Sequence, residues 1–245
     1  MAGLIAAALV LCAGTAAQAA FTAYNDSVYD ASVPSGMDPK GQTVHYTTSN
    51  VTIFGIGNIA GDYGGTTYAA PVVTVYPNTT GLLVDHATAG VTGVTATFSQ
   101  NPAAPVIWQP QVAATWTGGY DTADNTDADD TFGDIADMTG VMYYGNSGWF
   151  VDLTLSGLDP SKLYTFATSA SRAKANTDGA PGYDDRITIY TLNGGDASSN
   201  ASTAGVTVIS PTSVSFSTGN NHAAGYVARW TDIDPGADGT IVIRA

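Results

Sequence analysis

The sequence predicts an all-β protein: an antiparallel β-sandwich, jelly-roll-like, with long loops. Three observations carry that expectation. Short segments rich in Val, Ile, Thr, Tyr and Phe recur along the chain, divided by Gly, Pro, Asn and Asp. Several of them alternate apolar and polar residues with a period of two, as a strand with one buried face does. No stretch after the N-terminal segment sustains a 3.6-residue apolar period, and all 21 acidic residues are Asp, with no Glu. Glu favours helix interiors, whereas the short Asp side chain bonds nearby backbone and favours caps and turns.

Taken in order, the strand signals begin with "VTIFGIG" (51–57), "PVVTVYP" (71–77), "VTATFSQ" (94–100) and "WFVDLTL" (149–155). They continue with "LYTFATSAS" (163–171), "RITIYTL" (186–192), "GVTVIS" (205–210), "SVSFST" (213–218), "YVARWTDI" (226–233) and "GTIVIRA" (239–245). Turn-type stretches such as "LDPSK", "NGGDASSN" and "DPGADG" separate them. In 149–155, Trp149, Val151, Leu153 and Leu155 share one face, against Asp152 and Thr154 on the other. In 239–245, Ile241 and Ile243 oppose Thr240, Val242 and Arg244. Strands at this spacing without intervening helices point to two packed sheets.

The N-terminal segment reads differently. "GLIAAALVLCAGTAAQAA" is an apolar stretch followed by small residues, with Ala17-Gln18-Ala19 as an A-x-A cleavage pattern. Residues 1–19 are therefore expected to be a signal peptide, and 20–245 a single β-sandwich domain with a long acidic loop near 101–137. The expected location is secreted or at the cell surface. The one cysteine, Cys12, lies inside this leader, so the mature chain would carry neither a disulfide nor a thiolate metal site. No later segment is long and apolar enough to be read as a membrane span.

The net charge of -14 sets limits on partners. An acidic surface repels phosphates, which argues against nucleic acid, and it repels anionic membrane surfaces for the same reason. Divalent cations, neutral extracellular glycans, other surface polymers and self-association stay open.

Three stretches carry a family resemblance: "DLTLSGLDPSKLYTFATSASRA" (152–173), "DDRITIYTLNGGDASSN" (184–200) and "GYVARWTDIDPGADGTIVIRA" (225–245). They resemble secreted bacterial β-sandwich domains of uncharacterised exported proteins of the sorting-anchor type. More loosely, they are similar to galactose-binding-like and other carbohydrate-binding jelly rolls. The phrase L-x-G-L-x-P-x-x-x-Y-x-F closes a strand near Leu155, turns around Pro160 and reopens at Tyr164 and Phe166. The resemblance implies fold and export; it brings no catalytic or ligand set with it. The sequence departs from the anchored pattern in lacking the apolar helix and basic tail of a sorting anchor. That departure implies a fragment of a longer protein or a released one.

The densest chemistry lies in "YDTADNTDADDTFGDIAD" (120–137), where seven of eighteen residues are Asp. Calcium takes six to eight hard oxygens, which flexible Asp/Asn loops supply. Asn125, Asp127 and Asp129 reproduce the 1-3-5 spacing of an EF-hand loop, but Asp130 stands where its Gly would be, and no Glu closes it. Calcium is thus the candidate cofactor, with Asp121, Asp124, Asp127, Asp129 and Asp130 as candidate ligands. The plainer alternative is a solvated turn. Aromatic residues beside acidic or amide groups suit sugars, whose C–H faces stack on rings. Trp116 and Tyr120 flank the acidic stretch, and Tyr183 precedes Asp184, Asp185 and Arg186. Trp116, Tyr120, Tyr183, Asp184 and Arg186 are therefore the candidate ligand-binding residues, while Trp149 and Trp230 are expected in the core.

Signals for catalysis are weak. His45, His86 and His222 have no metal-ligand spacing, no G-x-S-x-G elbow occurs, and nothing singles out a carboxylate pair. No catalytic residue is assigned. The sequence reads as a secreted, non-catalytic binding module for carbohydrate or a surface polymer. The alternatives are a self-associating structural protein of the cell surface or matrix, and an extracellular glycan or phosphoester hydrolase.

Overall fold

A computed structural model of the chain describes residues 3–4, 21–26, 51–53, 61–63, 66–68, 80–100, 109–111, 122–133, 135, 141–143, 150–171, 186–219 and 221–245. The protein is all-β, and ten strands make its centre. They are β1 (Thr80–Val84), β2 (Val91–Gln100), β3 (Val151–Ser156), β4 (Tyr164–Thr168) and β5 (Ile187–Asn193). After them come β6 (Ala197–Asn200), β7 (Thr207–Ser210), β8 (Ser213–Ser217), β9 (Ala228–Asp234) and β10 (Thr240–Arg244).

Seven of these strands form one sheet in the order β7-β8-β5-β10-β3-β2-β1, and the other three form a second in the order β4-β9-β6. Every pairing within the two sheets is antiparallel. Shorter pairings lie outside them. Gly3–Leu4 and Gln109–Gln111 both pair with Val141–Tyr143, Tyr24–Asp26 runs parallel to Val51–Ile53, and Gly61–Tyr63 pairs with Thr66–Tyr68.

The two-residue alternation does what the sequence leads one to expect. Val151, Leu153 and Leu155 are buried and Asp152, Thr154 and Ser156 are half-exposed; Ile241 and Ile243 are buried beside them in β10. In β5, Thr188, Tyr190 and Leu192 turn inward while Ile187 and Ile189 turn out. The inner faces of both sheets feed one hydrophobic cluster. The small sheet supplies Tyr164, Phe166, Trp230 and Ile233; the large one supplies Phe98, Leu153, Tyr190, Phe216 and Ile243 among others. Tyr190 and Phe216 stack with centroids 5.2 Å apart, and burial pushes the Tyr190 phenol well above its usual pKa. Trp230 is fully buried, as expected; Trp149 lies outside the described residues.

Two of the ten central strands escape the sequence signals. "TGLLV" becomes the edge strand β1, and the turn-like "ASSN" becomes β6, paired with β9. The stretch read as a long loop near 101–137 also holds structure: the strand Gln109–Gln111, and a helical turn at 127–133 whose Asp129–Gly133 part is a π-helix.

On the outward face of the large sheet, Arg244 makes a two-pronged contact with Asp152, both bonds 2.8 Å, and its guanidinium lies 3.7 Å over the Phe150 ring. The connections at one end of the sheets are pinned to one another. Gly157 comes so close to β2 that a Cβ there would stand 2.8 Å from the Gly93 carbonyl oxygen. The next residue, Leu158, donates its N–H to the Gly239 carbonyl at 3.0 Å. The β3–β4 and β9–β10 connections and the start of β2 thus meet at that end.

Candidate functional site

Between the β1–β2 hairpin and the β3–β4 connection lies a cavity of about 460 Å³. Its floor and one wall come from the β1–β2 hairpin, through Asp85, Thr88, Gly90 and the first residues of β2. The facing wall is the β3–β4 connection, with Gly157, Asp159 and Lys162, and then Tyr164 at the start of β4. Phe21, half-buried against the core, closes the side.

The hairpin has its shape because Asp85 organises it. Its Oδ2 accepts the Thr88 hydroxyl at 2.5 Å, and its Oδ1 accepts the N–H groups of Thr22 at 3.2 Å and Ala87 at 3.4 Å. This is the Asx-type capping that makes Asp common in turns. The Thr88 hydroxyl, followed by those N–H groups, holds the Asp85 carboxyl below the usual carboxylate range.

The opposite wall uses the same chemistry. Asp159 Oδ1 accepts the Ser161 N–H at 2.9 Å and its hydroxyl at 2.7 Å, and these bonds with Lys162 hold the Asp159 carboxyl low. The Lys162 ammonium lies 3.7 Å from Asp159 Oδ2, and its side chain is nearly buried. The Tyr164 hydroxyl accepts the Asp159 N–H at 2.7 Å, which fixes the turn around Pro160 from the core side. The L-x-G-L-x-P-x-x-x-Y-x-F phrase is thus a wall of the cavity as well as a corner of the fold.

The cavity therefore presents two ionised carboxylates, one ammonium, a threonine hydroxyl, bare glycine backbone and an aromatic edge. Its volume falls in the range of small-molecule sites, roughly 300–1,000 Å³. Carboxylates and an ammonium accept from and donate to hydroxyl groups in fixed directions. Those of the residues singled out in the sequence for ligand or metal binding that are described do not line it. The signal that could have found it is the pair of Asx turns at 85–90 and 159–162, which fold distance alone brings together.

Of the expected site residues, those that are described lie elsewhere. Trp116, Tyr120, Asp121, Tyr183 and Asp184 are outside the described residues. Arg186 is half-buried just before β5, where its carbonyl accepts the N–H groups of Thr218 at 2.8 Å and Gly219 at 3.2 Å. In the acidic stretch, Ala128 and Phe132 are four residues apart and share one face of the helical turn. They are buried against Tyr24, Ala167 and Val227. Thr126 caps the turn, its hydroxyl accepting the Asp129 N–H at 3.2 Å, and the Asp129 carboxylate accepts the Asn125 N–H at 3.0 Å. Arg229 of β9 reaches the Thr131 hydroxyl at 2.9 Å and ties the turn to the small sheet. Asp124, Asp127 and Asp130 face solvent. Among the described residues, no three His, Cys or Asp side chains gather into a set able to hold a metal ion, so these four aspartates are not drawn together.

Asp85 supplies a pH prediction. Its folded pKa is depressed relative to an unfolded value of about 3.9. Its contribution to stability is therefore complete above that unfolded value and lost as pH falls through the folded one. Thermal melts of the wild type and Asp85→Asn should differ by a constant amount near neutrality, with the wild type more stable. The gap should close below about pH 4.

No protein-family model, curated protein or solved structure matches the chain. Among the described residues, no helix is long and apolar enough to cross a membrane.

Proposed function

We propose that the protein is an extracellular, non-catalytic binding module for carbohydrate or a hydroxyl-rich surface polymer, in a β-sandwich of the carbohydrate-binding type. The observation that carries this reading is the cavity of about 460 Å³ walled by Asp85, Asp159, Lys162 and Thr88, with Phe21 at its side. A sugar offers hydroxyls to the charged groups and C–H surface to the ring. The pocket's two carboxylates also favour binding over hydrolysis. A glycosidase needs one carboxylic acid with a raised pKa to protonate its leaving group. Local hydrogen bonds hold both Asp85 and Asp159 in the opposite direction. Export is supported by the apolar N-terminal stretch and its Ala17-Gln18-Ala19 pattern.

The test is retention of the purified chain on a panel of immobilised glycans, repeated with Val91→Trp. Val91 is 69% exposed at the rim, so the larger ring fits without repacking the core and fills the mouth of the cavity. Binding of at least one glycan, weakened about tenfold or more in Val91→Trp, is the expected result; tenfold corresponds to about 1.4 kcal/mol. Failure of every glycan to bind, or binding indifferent to Val91→Trp, overturns the proposal.

One observation favours self-association as a second reading. Strand β7 ends the large sheet, exposes Val208 and Ile209, and belongs to a stretch (187–217) in which Asp196 is the one charged residue. Yet β7 is four residues long and its register with β8 is irregular between Val208 and Ser210. Short, bulged edges are how sheets avoid pairing with other chains, so the cavity reading leads. Sedimentation of the purified chain distinguishes the two.

A further inference from the structure

The charges around the cavity do not balance. Asp159 has Lys162 against it at 3.7 Å. Among the described residues, Asp85 has uncharged hydrogen-bond donors instead: Thr22, Ala87 and Thr88. The Thr88 N–H also bears on it, and none of these donors carries a charge. Among the described residues, two carboxylates and one ammonium therefore leave the pocket with one negative charge that has no cation against it. The rest of the chain points the same way, since its net charge of -14 draws cations toward any cleft and disfavours anionic ligands.

We propose that the pocket selects a glycan bearing a free amine, seating the sugar ammonium on Asp85 while the neighbouring hydroxyls bond Asp159 and Lys162. The inference rests on the carbohydrate reading and names the ligand class of that same site. Asp85 is suited to the role because its hairpin bonds keep it ionised through the mildly acidic range in which amino sugars are protonated. Lys162 would discourage a second ammonium beside Asp159, so one amine per seated sugar, rather than a run of them, matches the walls.

The full chain is titrated calorimetrically with a β1,4-linked glucosamine trimer, with its fully N-acetylated counterpart and with trilysine, at a pH below that of the sugar amine's deprotonation. The expected result is that the amine trimer binds about tenfold or more tightly than the acetylated one. Asp85→Asn, which keeps one acceptor oxygen on the hairpin, should abolish that preference. Lys162→Met, of similar length, should enlarge it, because Asp159 then lacks its cation. Melting curves confirm that both variants are folded. Equal binding of the two trimers overturns the amine inference and leaves the carbohydrate reading standing. Binding of neither trimer overturns the amine inference, and the glycan panel then decides the carbohydrate reading. Trilysine binding as tightly as the amine trimer overturns the sugar assignment, and an amine preference that persists in Asp85→Asn overturns the role of Asp85.

Discussion

Replacing Trp230 with alanine lowers the stability of the protein by about 3–5 kcal/mol, the range for a large aromatic removed from a packed core. For a chain of this size that is a fall in melting temperature of roughly 10 °C. Trp230 is fully buried in the middle of β9 and is the largest side chain in the shared cluster. Its indole N–H donates to the Pro211 carbonyl at 3.2 Å, so one side chain bonds the small sheet to the β7–β8 turn of the large one. Trp230→Phe separates the two contributions: it keeps most of the volume, loses the bond, and should cost about 1–2 kcal/mol. Urea titration with an unchanged slope is the measurement. A loss below about 1 kcal/mol for the alanine variant would mean that the two sheets do not share a core, since no buried tryptophan is that cheap to remove.

The second large effect is expected at Gly239. Its φ of +61° is one that L side chains rarely adopt, and a Cβ there would run into the backbone carbonyl of Leu158. A backbone oxygen cannot swing aside as a side chain can. Gly239→Ala should therefore cost roughly 2–4 kcal/mol, from strain and from displacement of the β3–β4 connection. Gly93→Ala is the control: its φ is +84°, but a Cβ there meets nothing within 4 Å. It should pay the conformational cost alone, about 1–2 kcal/mol. Denaturant melts give both numbers. Because the Gly239 contact positions Leu158, next to Asp159, the Gly239 variant should also lose glycan retention at temperatures where it is still folded. Equal costs for the two alanines would show that the clash with Leu158 is not felt.

The strand architecture was legible wherever one face of a strand is buried, because burial imposes a period of two on the residues. "VDLTL" and "TIVIR" show it plainly, and both lie side by side in the large sheet. It was illegible where pairing, not patterning, makes the strand. "ASSN" has the composition of a turn and is a strand because β9 lies alongside it. How the acidic stretch is placed was hard to read for a related reason. Its seven aspartates dominate the eye, whereas the residues that place it are Ala128 and Phe132, two apolar positions among them. A helical turn docked by one face leaves its polar residues outside, and that alone gives Asp124, Asp127 and Asp130 a reason to be acidic. The calcium expectation is tested separately by a melt with and without the ion, since a ligand of the native state raises the melting temperature. The cavity was the least visible feature. Asp85 and Asp159 each look like ordinary turn residues, and only the packing of Gly157 on β2 and Leu158 on Gly239 makes them face a common space.

The position of β10 has a consequence for how the protein comes into being. Thr240–Arg244 lies between β3 and β5, joined to both. Without those five residues the large sheet would be two unjoined halves, each with an open flank. A strand that bridges partners so distant in the chain makes closure of the sheet slow. The large sheet is therefore continuous only when β10 is seated in the gap between β3 and β5.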